Sequence, residues 1–466
     1  MVDDQQTHAL PRDVEALDGV ARLHGLPDAG SLLSLLQPHV DEVGAIYDSL
    51  EASGGTGLPR EREALMLALG EAGFADPAPV AERIEQWRSG SLRALRTQAA
   101  HEALEAVLPT LVRALAGSAD PVTAANRLDS LIERLPSAIN LFRLLEARPQ
   151  LLNLLADILC HAPTLAGDLA RRAELLDGLI DASAFDPPGS VGEIAGRLRL
   201  ADARAQVEDR LDHVRRIVGE MRFALGAQIM VGAADPFDVA SGYARVAEAA
   251  IGVVAETVIR EFRAAHGAVP DSEFLILALG RMGGAELTHA SDLDLIYLFT
   301  GDFAAESNGA KPLGAVQYYN RLAQRVTAGL SVPTAAGPLY EVDTRLRPSG
   351  AQGPLVVSLD AFERYQREDA WTWEHMALCR ARPVFGSDDA CRALQAILDA
   401  ELRRPRDRAA LIADAAKMRA DMAAHKPPRG VLDVKLSDGG LVDLEFAVHV
   451  TQLLSGKGLE QRIAVA

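Results

Sequence analysis

Cysteine is scarce in this chain. Its 466 residues contain three, Cys160, Cys379 and Cys391. Their number is odd and their spacing matches no common metal-binding motif, so neither a disulfide framework nor a cysteine-ligated metal is expected. Such sparing use of cysteine is typical of proteins that work in a reducing cytoplasm.

Long apolar runs are missing as well. No stretch approaches the ~18 consecutive apolar residues of a membrane helix. The N-terminus, residues 1–8, lacks the basic and apolar regions of a signal peptide. We therefore expect a cytoplasmic protein with no membrane partner.

Positive charge is in deficit. Lysine and arginine number 47 against 65 aspartates and glutamates, for a formal net charge of −18. Because binding to a phosphate backbone requires clustered cations, no nucleic-acid partner is expected, and a protein acceptor fits better. The remaining composition, 48% hydrophobic and 24% charged, is that of a globular protein long enough for about three domains.

The most informative segment is 275–299, where an apolar strand, a glycine pair and a second strand follow one another. Asp292 and Asp294 are two residues apart, so on a strand their side chains leave the same face. Gly283 and Gly284 lack Cβ atoms, which lets backbone N–H groups approach a phosphate closely. Alone, such a pair of aspartates indicates a solvated strand or turn as readily as a metal site.

A third carboxylate comes from residues 340–347. Apolar and charged residues alternate strictly there, which predicts a strand with one face on a core. The charged face carries Glu341, Asp343, Arg345 and Arg347, and two interpretations stay open. The face is either a solvated, salt-bridged surface, or it adds Asp343 to the earlier aspartate pair as a ligand for Mg²⁺ or Mn²⁺, with arginines that hold phosphate oxygens.

Four phrases in the sequence carry a family resemblance. They lie at residues 280–295, 340–350, 370–382 and 439–446. The spacing of the glycine pair, the two aspartates and the later Asp343 resembles the DNA polymerase β nucleotidyltransferase superfamily. Within it, the four phrases in order are similar to the C-terminal adenylyltransferase half of the glutamine synthetase adenylyltransferase/adenylyl-removing enzyme family.

The resemblance implies an α+β fold that is predominantly helical, with a small mixed-sheet polymerase β-like core flanked by helical bundles. The implied divisions are a helical remnant of the family's first half with a linker (1–60), a helical region leading into the core (61–235), the nucleotidyltransferase core (236–360) and a C-terminal helical domain (361–466). The spacing of leucine and alanine between about 14 and 200 independently predicts helices. We expect the chain to be a fragment of the family's architecture at both ends.

The implied activity is transfer of AMP from ATP to a tyrosine hydroxyl of glutamine synthetase, with release of pyrophosphate and down-regulation of nitrogen assimilation. Mg²⁺, or Mn²⁺, would be the cofactor, and ATP the second substrate. The family also removes AMP by phosphorolysis through a first-half domain, which we expect to be absent from this chain. The signal protein PII and glutamine are the implied effectors.

The resemblance also implies roles for the site residues. Asp292 and Asp294 would hold the metal ions, and Asp343 would complete their ligands and accept the proton of the acceptor hydroxyl. The phosphates would lie against three residues, Gly283, Gly284 and Ser291.

Arg345 and Arg347 are candidates for contact with the triphosphate or the leaving group. Either arginine could instead pair with Glu341, and the sequence leaves the two roles open.

Several other residues admit a structural interpretation that we favour. Trp371, Trp373 and His375 could stack on adenine, but on a helix they are more often packing residues. His289 could touch phosphate, but a surface loop is favoured. The later glycine pair at 439–440, with its two nearby carboxylates, imitates the first and is expected to pack or to act as a hinge.

Two other functions remain open. The first is another nucleotidyltransferase, such as a PII uridylyltransferase or an antibiotic-modifying enzyme, which would share the aspartates and differ in nucleotide and acceptor. The second is a non-catalytic module that senses PII or glutamine. The presence of all three carboxylates disfavours an inactive site.

Overall fold

A computed structural model of the chain shows a mostly helical fold with one small sheet. The structure describes residues 10–11, 13–54, 57–135, 137–179, 185–202, 204–334, 336–430 and 432–459. These residues form nineteen α-helices and five β-strands. The predicted α+β class with a predominance of helix is confirmed.

Nine helices form the N-terminal part of the described chain. They are α1 (Val14–Leu23), α2 (Ala29–Gly54), α3 (Arg62–Ala72), α4 (Ala78–Arg88), α5 (Gln98–Ala116), α6 (Pro121–Arg134), α7 (Ile139–Ala147), α8 (Pro149–His161) and α9 (Pro163–Arg171). Leucines at helical spacing bury one side of α5 and of α8 in a common apolar core built from α3 to α9. Inside that core the carboxylate of Asp129 accepts from Trp87 Nε1 at 2.7 Å and pairs with Arg83.

The middle of the chain contains five helices and five strands that surround the candidate site. The helices are α10 (Val191–Leu198), α11 (Val207–Met230), α12 (Pro236–His266), α13 (Gly280–Gly283) and α14 (Ala315–Ser331). The strands are β1 (Phe274–Ala278), β2 (Leu293–Phe299), β3 (Val342–Asp343), β4 (Val356–Ser358) and β5 (Arg382–Phe385).

The sheet is mixed, as predicted. Strand β2 pairs antiparallel with β1 and parallel with both β3 and β4, while β5 adds antiparallel to the other edge of β1. The strands β1 and β2 are apolar throughout except at Asp294, because both of their faces are covered. The strand β2 is therefore paired on both edges and covered on both faces, and Asp292 and Asp294 lie at its N-terminal end.

Alternate residues of β2 enter different cores. Leu293, Leu295 and Tyr297 pack with α10, α11, α12 and α14. Ile296 and Leu298 leave the opposite face and pack against the C-terminal helices. Those helices are α15 (Leu359–Glu368), α16 (Thr372–Leu378), α17 (Asp388–Leu402), α18 (Arg408–His425) and α19 (Leu441–Ser455).

The contacts of the sheet extend past the range 236–360 that the sequence assigned to the core. Helices α10 and α11 pack on α12 before that range, and β5 completes the sheet after it. The division of the chain into four domains stays a prediction. None of the described helices is long and apolar enough to cross a membrane.

The strand predicted at residues 340–347 is mostly wrong. Only Val342–Asp343 join the ladder, and the chain turns from residue 344 onward. The predicted alternation survives at its start, where Tyr340 is buried and Glu341 is exposed. The turn is stabilised by the side chain of Arg347, which is described below, and this local bonding replaces the ladder bonds of a longer strand.

Candidate active site

The three predicted carboxylates lie at the beginning of β2 and at the end of β3. These two strands run parallel, with Leu293 opposite Val342 and Asp294 opposite Asp343. Side chains opposite each other in neighbouring strands leave the same face of a sheet. Asp292 precedes β2 by one residue and so returns to the face that carries Asp294.

The structure brings these carboxylates together. One oxygen of each of Asp292, Asp294 and Asp343 lies within 4.8 Å of the others. Asp292 is exposed, and the other two are half-buried. Oxygen ligands in this arrangement match the preference of Mg²⁺ and Mn²⁺, although their role as ligands stays a prediction.

The electrostatics of the cluster are uneven. Burial and, to a smaller extent, the neighbouring charges of Asp292 and Asp343 raise the pKa of Asp294 to about 6. The pKa of Asp343 is lowered, chiefly by hydrogen bonds from Arg345. The negative charge around Asp294 is therefore poorly compensated, and a divalent cation would stabilise its ionised form.

Gly280 lies directly against this cluster, and the sequence analysis assigned it no role. It adopts a φ of +54°, and a Cβ atom at this position would overlap Oδ2 of Asp294. The signal for it was available, because a glycine directly after a buried strand marks a backbone turn. Any side chain here would displace the Asp294 carboxylate.

Gly283 and Gly284 are buried at the end of α13. A Cβ atom on Gly283 would overlap the carbonyl oxygen of Arg380, so close packing of two backbones requires this glycine. The Gly283 N–H donates to the Leu279 carbonyl at 2.8 Å, and the Gly284 N–H to that of Gly280 at 3.2 Å. Both amides are thus engaged in the turn, and the phosphate contact predicted for them stays a prediction.

The cleft that the two glycines border is not lined by the aspartates among the described residues. Gly283 and Gly284 line a cleft of about 710 Å³ whose described lining residues do not include the three aspartates. Ser291 lies just before Asp292 and closes a turn, since its Oγ accepts from the Thr288 N–H at 2.9 Å. The role of Ser291 in phosphate binding likewise stays a prediction.

The two predicted arginines contact different groups. The guanidinium of Arg345 forms a fork on Asp343, with Nε 2.8 Å from Oδ2, while its side chain stays largely exposed. Arg347 instead donates to the carbonyls of Thr344, at 2.9 Å, and Ala351, at 3.2 Å, and so closes the turn after β3. The sequence left open whether either arginine pairs with Glu341. Neither is bonded to Glu341 in the described part of the chain.

Comparison of the sequence with known proteins places the chain in a family. A family model described as glutamate-ammonia ligase adenylyltransferase matches residues 152–397, which is more than half of the chain and includes all three aspartates.

The chain belongs to the glutamate-ammonia ligase adenylyltransferase family.

Individual relatives support the same family assignment. The chain is 37% identical to a protein of Mesorhizobium japonicum over 99% of its own length and 48% of the relative's. It is 38% identical to one of Xanthobacter autotrophicus (96% and 46%) and 37% identical to one of Brucella suis (97% and 47%). Each of these relatives is named bifunctional glutamine synthetase adenylyltransferase/adenylyl-removing enzyme. The chain spans about half the length of the curated relatives it matches.

In this adenylyltransferase-family chain, the carboxylates that follow the C-terminal glycine pair are engaged in structural contacts. Asp443 accepts from the Gly439 N–H at 2.6 Å and pairs with Arg419. Glu445 pairs with Arg380 at 3.0 Å. Neither carboxylate joins the cluster of three, in agreement with the predicted packing role.

His289 ties the loop before β2 to the helical region. Its Nε2 lies 2.7 Å from Oδ2 of Asp168 in α9, and its Nδ1 lies 3.2 Å from the hydroxyl of Tyr243 in α12. The side chain is 16% exposed, so the prediction of an ordinary surface histidine is wrong. Contacts 121 and 46 residues away in the chain hold this histidine, and no local pattern indicates them.

The tryptophan phrase is divided between packing and solvent. His375 is buried, lies 2.9 Å from the Gln366 carbonyl, and has a pKa lowered to about 4 by burial, so it is a packing residue as predicted. Trp373 is half-buried. Trp371 is 70% exposed, and the prediction of core packing is wrong for it because it precedes α16 rather than lying within it.

Proposed function

We propose that this chain transfers AMP from ATP to a tyrosine hydroxyl of glutamine synthetase, with release of pyrophosphate and down-regulation of nitrogen assimilation. The observation that carries the proposal is the cluster of three carboxylates within 4.8 Å in a chain of the adenylyltransferase family. The names of the relatives identify glutamine synthetase as their substrate. ATP is the corresponding AMP donor.

The reaction forms a bond between the tyrosine oxygen and the α-phosphorus of ATP and breaks the bond from that phosphorus to the bridging oxygen of pyrophosphate. Negative charge grows on the entering and departing oxygens. A free tyrosine hydroxyl has a pKa of about 10, so it must lose its proton to attack efficiently near neutral pH. The site therefore has to accept a proton and neutralise oxyanions.

The residues present fit a divalent cation. Asp292 and Asp294 would hold Mg²⁺ or Mn²⁺, with Asp343 completing the carboxylate ligands, and the raised pKa of Asp294 indicates negative charge that lacks a counterion. When bound, the metal would supply charge stabilisation for the phosphate oxygens and lower the pKa of the attacking hydroxyl. Exposure of Asp292 leaves one side of the cluster open to substrates.

Asp343 is the proposed proton acceptor, and Arg345 controls its availability. While Arg345 forks onto Asp343 the pKa of that carboxyl is lowered, which weakens it as a base. The exposed guanidinium is free to turn toward a triphosphate, where it would bind phosphate oxygens and release Asp343. Arg347 is engaged in the turn after β3 and would act by holding that turn.

The further partners and context are part of the same proposal. PII and glutamine would act as effectors, and the helical segments flanking the sheet offer surfaces for them. A longer protein of this family would carry the phosphorolytic removal of AMP in a first half, and the cytoplasm would be the compartment. The triad is the single group of three such side chains close enough for a metal among the described residues, which fits one transferase centre in this chain.

The proposal is tested by incubating the chain with ATP labelled on its α-phosphate, Mg²⁺ and glutamine synthetase. We expect labelled AMP on a tyrosine of glutamine synthetase, dependence on the metal, and loss of label with Asp292→Asn. UTP in place of ATP should give no transfer, which separates the proposal from a uridylyltransferase. Binding of ATP and Mg²⁺ without any transfer, here and in a longer protein that contains the chain, would overturn it.

A further inference from the structure

A second cleft lies between the helical region and the sheet. It has a volume of about 610 Å³, within the range of small-molecule sites. One wall comes from α9 and α11, and the other from two loops at residues 289–291 and 336–341. The three aspartates of the candidate active site are not among its described lining residues.

The cleft is positively charged in a chain that carries a net charge of −18. Two carboxylates line it, Asp168 and Glu341. Its cations are five arginines, Arg134, Arg171, Arg172, Arg215 and Arg222. A concave surface with an excess of one sign of charge concentrates ligands of the other sign.

Arg215 provides the most specific observation. The residue is 3% exposed, and its Nη2 donates to the carbonyls of Gly329 at 2.8 Å and Val332 at 3.0 Å. Its Nε and Nη1 atoms are buried and have no hydrogen-bond partner among the described residues. A buried guanidinium with unpaired N–H groups is costly, and a nearby anion would offset that cost.

The other arginines differ in how far protein groups engage their guanidinium groups. Arg222 joins the two loops, with Nη1 2.9 Å from the Leu339 carbonyl and Nη2 on that of His289. Arg172, whose side chain is 17% exposed, lies 3.4 Å from both Glu174 and Glu220 and donates to the Arg216 carbonyl at 3.3 Å. Arg134 is exposed at the end of α6 and has no hydrogen bond or ion pair within the described part of the chain.

We propose that this cleft binds a small oxyanion, a phosphate or a carboxylate, at a site separate from the three-aspartate cluster. Guanidinium groups recognise both kinds of oxyanion through paired N–H donors. Ser291 and Glu341 line the cleft and lie one and two residues from Asp292 and Asp343. An anion held there contacts both walls and fixes the loops that carry two of the aspartates. The proposal does not rest on AMP transfer.

The test is calorimetric titration of the chain with inorganic phosphate and, separately, with malonate, in EDTA and without nucleotide. We expect at least one of them to bind, and the stronger binder identifies the kind of oxyanion. Arg134→Gln and Arg172→Gln should each weaken binding by about tenfold, the effect of one charge-assisted hydrogen bond. Arg143→Gln, an exposed arginine on α7 outside the cleft, is the matched control and should leave binding unchanged.

Circular dichroism of each variant checks that a lost signal is not a folding defect. Asp292→Asn should bind the anion as the unmodified chain does. Failure of both anions to bind, or equal binding by Arg134→Gln, Arg172→Gln and the control, would overturn the proposal. Loss of binding in Asp292→Asn would place the anion at the aspartate cluster and overturn the claim of a separate site, whatever the outcome of the transfer assay.

Discussion

Nη1 of Arg380 donates to Oε1 of Glu445 at 3.0 Å, and this contact joins the turn after α16 to α19. The same arginine presents its backbone carbonyl to Gly283, and its charge partly offsets the raised pKa of Asp294. The C-terminal helix therefore supports the candidate site through one side chain. The Arg380–Glu445 contact thus joins two of the four sequence phrases that carry the family resemblance, those at 370–382 and 439–446.

Glu445→Gln should destabilise the chain by about 1–2 kcal/mol, because it leaves a largely buried guanidinium without its counterion. The side chain of Arg380 is 13% exposed, and its Nε already lacks a partner among the described residues. Thermal unfolding followed by circular dichroism measures the effect. Glu363→Gln is the matched control, since its pair with Arg367 at 3.7 Å is half exposed, and it should change stability by less than about 0.5 kcal/mol. Equal effects of the two substitutions would contradict the supporting role of α19.

Asp294→Asn should stabilise the metal-free chain at neutral and alkaline pH. The folded pKa of about 6 lies above the ordinary value of 3.8, so ionisation disfavours the folded state. The unmodified chain thus loses stability as pH rises from about 4 through 6, and the asparagine variant avoids that loss. We expect a gain on the order of 2 kcal/mol at pH 8 that shrinks toward pH 5.

Melting temperatures of both proteins across this pH range in EDTA test the sign. Asp399→Asn, which changes a carboxylate that accepts from the Gln395 amide outside the cluster, serves as the comparison. If Asp294→Asn were less stable than the unmodified chain at pH 8, the ionised Asp294 carboxylate would stabilise the folded state, which contradicts the prediction.

Mg²⁺ should bind the unmodified chain more tightly as pH rises through about 6. Below that pH a proton on Asp294 competes with the metal, so the apparent affinity should fall by up to tenfold per pH unit. Titration calorimetry at pH 5 and pH 8 measures this difference. Asp292→Asn should abolish binding, whereas Glu341→Gln, an exposed carboxylate on the same edge outside the cluster, should retain it. A pH-independent affinity would exclude Asp294 as a ligand.

The sequence was sufficient for the elements whose pattern is local. Apolar runs of strand length predicted β1 and β2, and leucines at helical spacing predicted α5 and α8. The juxtaposition of Asp343 with Asp294 followed from placing two strands side by side. For each strand and helix named here, the residues that determine the element lie within a few positions of one another.

The sequence was insufficient where specific side-chain contacts, local or distant, decide the structure. The strand predicted at 340–347 ends at Asp343 because Arg347 bonds the following turn. His289 was assigned to the surface, but its partner Asp168 lies 121 residues earlier in the chain. The arginine-lined cleft is assembled from α6, α9 and α11, and no single segment of the sequence carries its charge pattern.

Gly280→Ala should disable the site while leaving most of the fold intact. The backbone there has a φ of +54°, which costs alanine roughly 1–2 kcal/mol, and the new Cβ would overlap the Asp294 carboxylate. That carboxylate ends a side chain that can rotate away, so the overlap is relieved by moving a proposed metal ligand. We expect loss of AMP transfer and weakened Mg²⁺ binding in calorimetry.

Gly252→Ala is the matched control, because this glycine of α12 has nothing within 4 Å of the position of a Cβ atom. Alanine is the better helix former, so the control should keep activity and gain up to about 1 kcal/mol of stability. The comparison separates a general cost of removing glycine from displacement of Asp294. If Gly280→Ala bound Mg²⁺ and transferred AMP like the control, Asp294 would not be needed in the position that the structure gives it, and the three-carboxylate site would have to be reconsidered.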